Sequence, residues 1–120
     1  MAHCQRGDEY LVGQNAHTYK FEGGGAAVLG SIQPQPIEMS SEGVMDLEAI
    51  DAAIKRQPSM NHFAHSTLLF LENTHDGRVL PIDYVRKAQE LARAHGLRVH
   101  LDGARLWNAA VASGRSPAET

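Results

Sequence analysis

One stretch of this sequence, residues 100–109, constrains the fold more than any other. A β-prone apolar run ends there at Asp102, and Gly103 follows at once. Apolar side chains then recur at the spacing of one helix face, at Ala104, Trp107, Ala110 and Val111. The pattern predicts a strand that places a carboxylate at its carboxyl end, where ligands bind in open α/β sheets. Asp102 could equally cap the following helix, so spacing alone leaves a ligand-binding and a capping role open.

Three further segments have the character of strands. Residues 9–13 form a short apolar run that ends at a glycine. Residues 68–73 are a continuous apolar run that ends in polar side chains, which is typical of a strand covered on both faces. Residues 31–37 contain Pro34 and Pro36, so this segment can be extended but can pair only at a sheet edge.

Two helices are predicted between these strands. Asp46 caps the first, which we expect to end near Pro58. Its apolar face consists of Leu47, Ile50 and Ile54. Pro81 opens the second helix and Gly96 closes it. The inward face of that helix consists of Ile82, Val85, Ala88, Leu91 and Ala92. Strand, helix and strand with this spacing form a βαβ unit, so the predicted fold class is α/β, with a mainly parallel sheet and flanking helices.

Composition narrows the class of partner. Hydrophobic residues make up 42% and charged residues 21% of the 120 residues, as in an ordinary soluble globular protein. A net charge of −3 gives no reason to expect nucleic acid or an anionic membrane as a partner. The single cysteine, Cys4, excludes an internal disulfide and predicts a reducing, cytoplasmic environment, with Cys4 as a packed residue.

Both ends of the sequence resemble the interior of a domain. The first residues look like the last turn of a helix that stops at Gly7. The last residues look like the start of a helix, with Ser116 as its cap and Pro117 in its first position. We therefore expect residues 1–120 to be the central part of a larger domain.

Three groups of residues could carry chemistry: His17, the pair His62 and His65, and Asp102 with Arg105. His17 and Asp102 each follow a predicted parallel strand, so we expect them to converge at one sheet edge, where Glu72 also lies. The histidines do not show the spacing of a zinc site, because no second pair completes the first. Residues 23–25 are three glycines, but they do not form the dinucleotide fingerprint and predict a helix-breaking turn with positive φ angles.

A cofactor with a cationic ring nitrogen explains more of these residues at once. Pyridoxal phosphate works best when its pyridine nitrogen stays protonated, and an aspartate at a strand end can keep it so. Arg105 follows Asp102 by about one helical turn, so it could reach the phenolic oxygen of the cofactor or a substrate carboxylate. His17 has the flat ring needed to stack on the cofactor.

Four motifs, taken in order, resemble the threonine aldolases, a fold-type-I pyridoxal-phosphate family related to aspartate aminotransferase. They are residues 13–17 (Gly-Gln-Asn-Ala-His), 22–26 (Glu-Gly-Gly-Gly-Ala), 71–75 (Leu-Glu-Asn-Thr-His) and 100–109 (His-Leu-Asp-Gly-Ala-Arg-Leu-Trp-Asn-Ala). Residues 30–37 are similar to the bacterial low-specificity L-threonine aldolases in particular. The resemblance extends over essentially the whole chain.

The resemblance implies roles at matching positions. His17 would stack on pyridoxal phosphate, Asp102 would bind its pyridine nitrogen, and Arg105 would lie near the phenolic oxygen and the substrate carboxylate. His62 would lie near the substrate's β-hydroxyl. His65, three residues further on, competes with it for this assignment. The implied reaction is retro-aldol cleavage of L-threonine or L-allo-threonine to glycine and acetaldehyde by a homo-oligomer, in which base-assisted loss of the hydroxyl proton breaks the Cα–Cβ bond.

The sequence departs from the family at the covalent anchor. The family's cofactor-binding lysine follows the Asp-Gly-Ala-Arg motif in a Ser-Lys-Gly setting, whereas the lysines here are Lys20, Lys55 and Lys87. A glycine-threonine loop for the cofactor phosphate is also not present. We therefore expect the 120 residues alone to be inactive. The alternatives are a truncated, non-catalytic binding or assembly module and another fold-type-I lyase or aminotransferase.

Overall fold

The computed structural model describes residues 1–56 and 62–120. Within them, four strands form one sheet: β1 (Asp8–Gly13), β2 (Gln33–Ile37), β3 (His65–Glu72) and β4 (Arg98–Asp102). Their order across the sheet is β2–β1–β3–β4, and every pairing is parallel. The predicted α/β class with a parallel sheet is confirmed, and β3 and β4 are adjacent, as the βαβ unit requires.

Five helices flank this sheet in the described ranges: α1 (His17–Lys20), α2 (Gly25–Gly30), α3 (Leu47–Ala53), α4 (Ile82–Ala94) and α5 (Leu106–Ser113). None of the described helices is long and apolar enough to cross a membrane. Neither α1 nor α2 was expected from the sequence. Gly23 and Gly24 do have positive φ angles, as predicted, but Gly24 is the N-cap of α2 and Gly25 is its first residue. The glycine run therefore begins a helix instead of only breaking one.

β2 is an edge strand, as its two prolines predict. It pairs with β1 on one side only, with Pro34 opposite Tyr10 and Pro36 opposite Val12. A proline has no backbone N–H to donate, so a strand that carries two of them is best placed at an edge.

The ends of α3 and α4 follow from their capping residues. Asp46 caps α3 by accepting a hydrogen bond from the Glu48 N–H at 3.3 Å, which confirms its predicted role. The helix itself ends at Ala53, and the expected end near Pro58 lies outside the described residues. α4 begins after Pro81 and ends before Gly96, which has a φ of +69°. Both bounds of α4 agree with the prediction.

The core lies mainly on the face of the sheet that α3 and α4 cover. Its buried members are Leu11, Ile37, Met45, Ile50, Ile54, Leu69, Leu71, Leu80, Tyr84, Val85, Ala88, Ala92 and Leu97. The opposite face carries a smaller cluster of Tyr10, Val12, Ala16, Ile32 and Leu68, against which Cys4 packs as predicted. On α4, Tyr84 is buried although the predicted inward face did not include it, while Ile82 and Leu91 are only partly buried.

Two predictions about helices near the chain ends need correction or refinement. The predicted apolar face of α5 is right for Ala110, which is buried beside Ala109, but wrong for Trp107 and Val111, which are 72% and 84% exposed. The helix approaches the rest of the chain on its alanine side, where short side chains permit close contact. Residues 1–7 form no helix, so the stop signal at Gly7 marks a turn with a φ of +86°. At the other end, Ser116 does cap a 3₁₀ turn at Pro117–Glu119, as predicted.

Candidate active site

A pocket of about 250 Å³ lies at the carboxyl edge of the sheet. Its walls come from residues at or just after the carboxyl ends of β1, β3 and β4, namely His17, Glu72, Asn73, Thr74, Asp76, Asp102, Ala104 and Arg105. Parallel strands end at the same edge of a sheet, which is why loops far apart in sequence meet here. The expected convergence of His17 and Asp102 is confirmed.

Asp102 is the last residue of β4, and its two carboxylate oxygens have different surroundings. Oδ1 accepts a hydrogen bond from the Ala104 N–H at 3.1 Å and so holds the turn into α5. The Asp102 carbonyl accepts one from the Asn73 N–H at 3.0 Å, which ties the ends of β4 and β3 together. Oδ2 has no hydrogen-bond partner within residues 1–56 and 62–120. Oδ1 therefore stabilises the turn, and Oδ2 can accept a hydrogen bond from a ligand.

His17 is the first residue of α1, and its side chain is largely exposed at the pocket. Its Nε2 lies 3.0 Å from Glu22 Oε1, and its ring centroid lies 5.3 Å from that of Phe21. Its backbone N–H donates to Glu72 Oε2 at 2.6 Å. Glu72 therefore anchors the His17 backbone and Glu22 contacts its ring, while the accessible surface of the ring is available to a flat ligand.

Arg105 lies at the mouth of the pocket as the N-cap residue of α5. Its side chain is exposed, and in the part of the chain that the structure describes its guanidinium forms no ion pair. A planar cation with free donors suits the two oxygens of a carboxylate.

His62 does not lie in this pocket. Its exposed side chain precedes β3 by three residues, whereas the pocket lies beyond the last residue of the same strand. The eight extended residues of β3 span about 26 Å. His62 therefore lies at the amino ends of the strands, whereas Asp102 lies at their carboxyl ends. Its role near a substrate hydroxyl stays a prediction, and this chain's own pocket gives it no support.

The sequence analysis placed Glu72 at a strand end but missed its contacts. Glu72 Oε1 lies 2.9 Å from Nδ1 of His75, a buried residue, while Oε2 accepts from His17. The two partners are 3 and 55 residues away in sequence. The short motif Leu-Glu-Asn-Thr-His carried a signal for the His75 contact, but no local signal pointed to His17.

A larger cavity of about 450 Å³ lies at the amino ends of the strands, beside Lys55, Arg56, His65 and His95. Three of these groups already have acidic partners: Lys55 pairs with Glu9, and both Arg56 and His95 pair with Asp51. The Arg56 guanidinium, followed by His95, holds the pKa of the Asp51 carboxyl below its usual value. Within residues 1–56 and 62–120, no group of three His, Cys, Asp or Glu side chains is arranged to hold a metal ion. The pocket at the carboxyl edge is therefore the better candidate.

Comparison with known proteins adds sequence evidence. The sequence pattern of a family described as beta-eliminating lyase matches residues 1–120. The chain is 54% identical over 114 residues to the low specificity L-threonine aldolase of Escherichia coli K12, a match that covers 95% of this chain and 34% of that protein. The resemblance to threonine aldolases is thereby confirmed.

Solved structures agree on the fold. A threonine aldolase from Leishmania major superposes with a TM-score of 0.75 at 23% identity, over 90% of this chain and 31% of that one. An aspartate aminotransferase from Rhizobium meliloti superposes with a TM-score of 0.62 at 17% identity, over 84% and 24%. The predicted aspartate-aminotransferase-like architecture is confirmed. The chain spans about a third of the length of the curated relatives it matches.

Proposed function

Because the chain belongs to the beta-eliminating lyase family, we propose that it forms the cofactor-binding centre of a pyridoxal-phosphate-dependent carbon–carbon lyase. The substrates are L-threonine and L-allo-threonine, which are cleaved to glycine and acetaldehyde. The 54% identity to a protein named low specificity L-threonine aldolase supports this choice of substrate.

The single observation that carries the proposal is the free oxygen of Asp102. Asp102 Oδ2 lies at a strand end, in a pocket shared with His17, and has no partner in the described ranges. A carboxylate in that position can accept a hydrogen bond from a protonated pyridine nitrogen and keep the proton there. Pyridoxal phosphate, when bound, supplies an electron sink for negative charge at the substrate α-carbon. The residues present fit this cofactor.

The neighbouring side chains complete the assignment. His17 would lie against one face of the cofactor ring, and its backbone bond to Glu72 would hold the residue there. Arg105 would bind either the phenolic oxygen or the substrate carboxylate through its guanidinium donors. We assign no role in this pocket to His62, because it precedes β3 whereas the pocket lies at the other end of that strand.

Replacing Asp102 with Asn in the full-length protein tests the proposal. An amide cannot hold the ring nitrogen protonated, so we expect cleavage of L-threonine to fall on the order of 100-fold. Cofactor binding, followed by its visible absorbance, should be weakened much less. Asp83→Asn is the matched control, because Asp83 is an exposed acid on α4, away from the pocket. Unchanged turnover in Asp102→Asn would contradict the assignment.

A β-elimination reaction is the second candidate, and the description of the matching family favours it. Both reactions need the same electron sink, but elimination expels a group from the β-carbon whereas aldol cleavage breaks the Cα–Cβ bond. The products separate them: threonine gives glycine and acetaldehyde, whereas a β-substituted amino acid and one water give the expelled β-substituent with its proton, ammonia and a keto acid. Faster turnover of the β-substituted substrate would overturn the aldolase proposal.

Assembly and location complete the proposal. We propose a homo-oligomer, on the strength of the family resemblance and of the exposed apolar side chains on α2 and α5. A cytoplasmic location is supported only by the lone Cys4, which suits a reducing compartment. Sedimentation of the full-length protein tests the first proposal, and cell fractionation tests the second.

A further inference from the structure

Both carboxylate oxygens of Glu72 are engaged, and both partners are histidines. Oε2 accepts from the backbone N–H of His17 at 2.6 Å, and Oε1 lies 2.9 Å from His75 Nδ1. The Glu72 side chain is only 13% exposed, so water competes weakly for its bond to His75, while the bond from the His17 N–H lies at the surface. Hydrogen bonds to a charged, sheltered acceptor are stronger than bonds between neutral groups.

α1 needs this contact because it has no cap of its own. It contains four residues, and its N-cap position holds Ala16, which offers no side-chain acceptor to the first free N–H groups. So short a helix is unstable in isolation. The carboxylate that caps it comes from the end of β3, the strand next to β1.

The Glu72 carboxylate is also held by His75, on the side away from α1. His75 is buried, and its backbone forms two hydrogen bonds with Arg78, from Arg78 N–H at 2.8 Å and to the Arg78 carbonyl at 3.0 Å. The turn at Gly43 packs directly against the His75 side chain. Glu72 is therefore fixed between a rigid turn and α1, and its freedom to swing towards the pocket is small.

We propose that Glu72 is a positioning residue, which fixes the His17 backbone so that the imidazole presents one face to the pocket, with His75 holding the Glu72 carboxylate. The contact itself is independent of any ligand. Its consequence for the cofactor rests on the proposed function.

Hydrogen exchange of the full-length protein, without added cofactor, tests the contact. Removing the acceptor in Glu72→Ala should speed exchange in residues 14–21 at least about tenfold, since the cap bond to His17 is lost. The matched control is Asp46→Ala, which removes the carboxylate cap of α3 from the Glu48 N–H but lies far from α1 in sequence. It should speed exchange only around residues 46–50. Native-like exchange of residues 14–21 in Glu72→Ala overturns the proposal.

A second readout separates positioning from general stability. With pyridoxal phosphate added, Glu72→Ala should lose most of the visible circular-dichroism band of the bound cofactor and bind it about tenfold more weakly. Asp46→Ala, which loses a similar cap, should leave band and affinity unchanged. Faster exchange in Glu72→Ala with a native band and affinity overturns the positioning role. If the native protein binds no cofactor, the proposed function fails, and the exchange measurement alone decides the Glu72 contact.

Glu72→Gln gives the rescue experiment and protects the test if the alanine variant does not fold. Glutamine has the same shape, and its carbonyl oxygen can still accept from the His17 N–H while its amide NH₂ donates to His75 Nδ1, with the imidazole proton moved to Nε2. We expect exchange and the circular-dichroism band to be close to native. A glutamine variant as impaired as the alanine variant overturns the proposal, because the acceptor would then not be what positions His17.

Discussion

The hydroxyl of Tyr84 accepts a hydrogen bond from the Met45 N–H at 3.2 Å, in the core between α4 and the segment that leads into α3. Met45 is almost completely buried, so its N–H would otherwise lack a partner. Burial, and to a smaller extent the nearby Asp46 carboxylate, raises the pKa of the Tyr84 phenol above its usual value. The Tyr84 hydroxyl thus supports the segment that leads into α3, and its ionisation makes that support depend on pH.

We predict that Tyr84→Phe lowers the free energy of unfolding at neutral pH by about 1–2 kcal/mol, because the buried Met45 N–H is left unpaired. The pKa of Tyr84 is raised in the folded state, so its contribution is fully present below the unfolded pKa and is lost as pH rises through the folded pKa. Native stability should therefore fall above about pH 10, and more steeply than that of Tyr84→Phe. Denaturant unfolding from pH 7 to 11 measures both effects, and equal slopes in the two proteins would contradict the second.

At the scale of elements, the turn around Gly43 connects the entry to α3 with the pocket. Ser40 Oγ accepts from the N–H groups of Glu42 and Val44, which closes the turn. Gly43 has a φ of +82°, and a Cβ atom built on it would lie 2.6 Å from the Cβ of His75. The turn therefore needs glycine both for its backbone angle and for close contact with the residue that supports Glu72.

We predict that Gly43→Ala destabilises the protein more than Gly77→Ala does. Gly77 has a nearly equal φ of +80°, but a Cβ there meets nothing within 4 Å. Gly77→Ala should cost about 1–2 kcal/mol of backbone strain. Gly43→Ala should add about 1–3 kcal/mol because it crowds His75. Thermal or denaturant unfolding gives the difference between the two variants, and equal losses would show that His75 can move aside.

The elements that could be predicted from the sequence are those with a long run of periodic apolar residues or with strong residues at their ends. α4 has thirteen residues and a proline and a glycine at its limits, so sequence alone was sufficient for its bounds. α1 was missed because its stabilising acceptor, Glu72, is 55 residues away. The predicted inward face of α5 was wrong at Trp107 and Val111, because Ala109 and the correctly predicted Ala110 are the buried residues of this helix.

At the scale of the whole molecule, the candidate site was predictable to the extent that parallel strands share a carboxyl edge. His17 and Asp102 could be placed together on that rule. The same rule would have placed His62 elsewhere, because it precedes its strand, and only the family resemblance connected it with the site. The linkage through Glu72 depends on side-chain contacts between strands, for which a single sequence carries no periodic signal.

The whole molecule also exposes apolar side chains on the helices that flank the sheet, namely Val28, Leu29, Trp107 and Val111. Water-exposed apolar groups favour association, and each large side chain that becomes buried contributes roughly 1.5–3 kcal/mol. We predict that the 120 residues, produced alone, self-associate with rising concentration. Sedimentation velocity over a concentration series measures this.

The variant Leu29→Ser with Val111→Ser should shift that association to higher concentration, because it removes apolar surface from both α2 and α5 without touching the buried core. Arg86→Ser is the matched control, since it removes an exposed, charged side chain on α4. The competing route is strand pairing at β4, which lies at the other end of the sheet from the proline-bearing β2. Association of the double variant at the same concentration as the native chain would assign it to that edge and contradict the prediction.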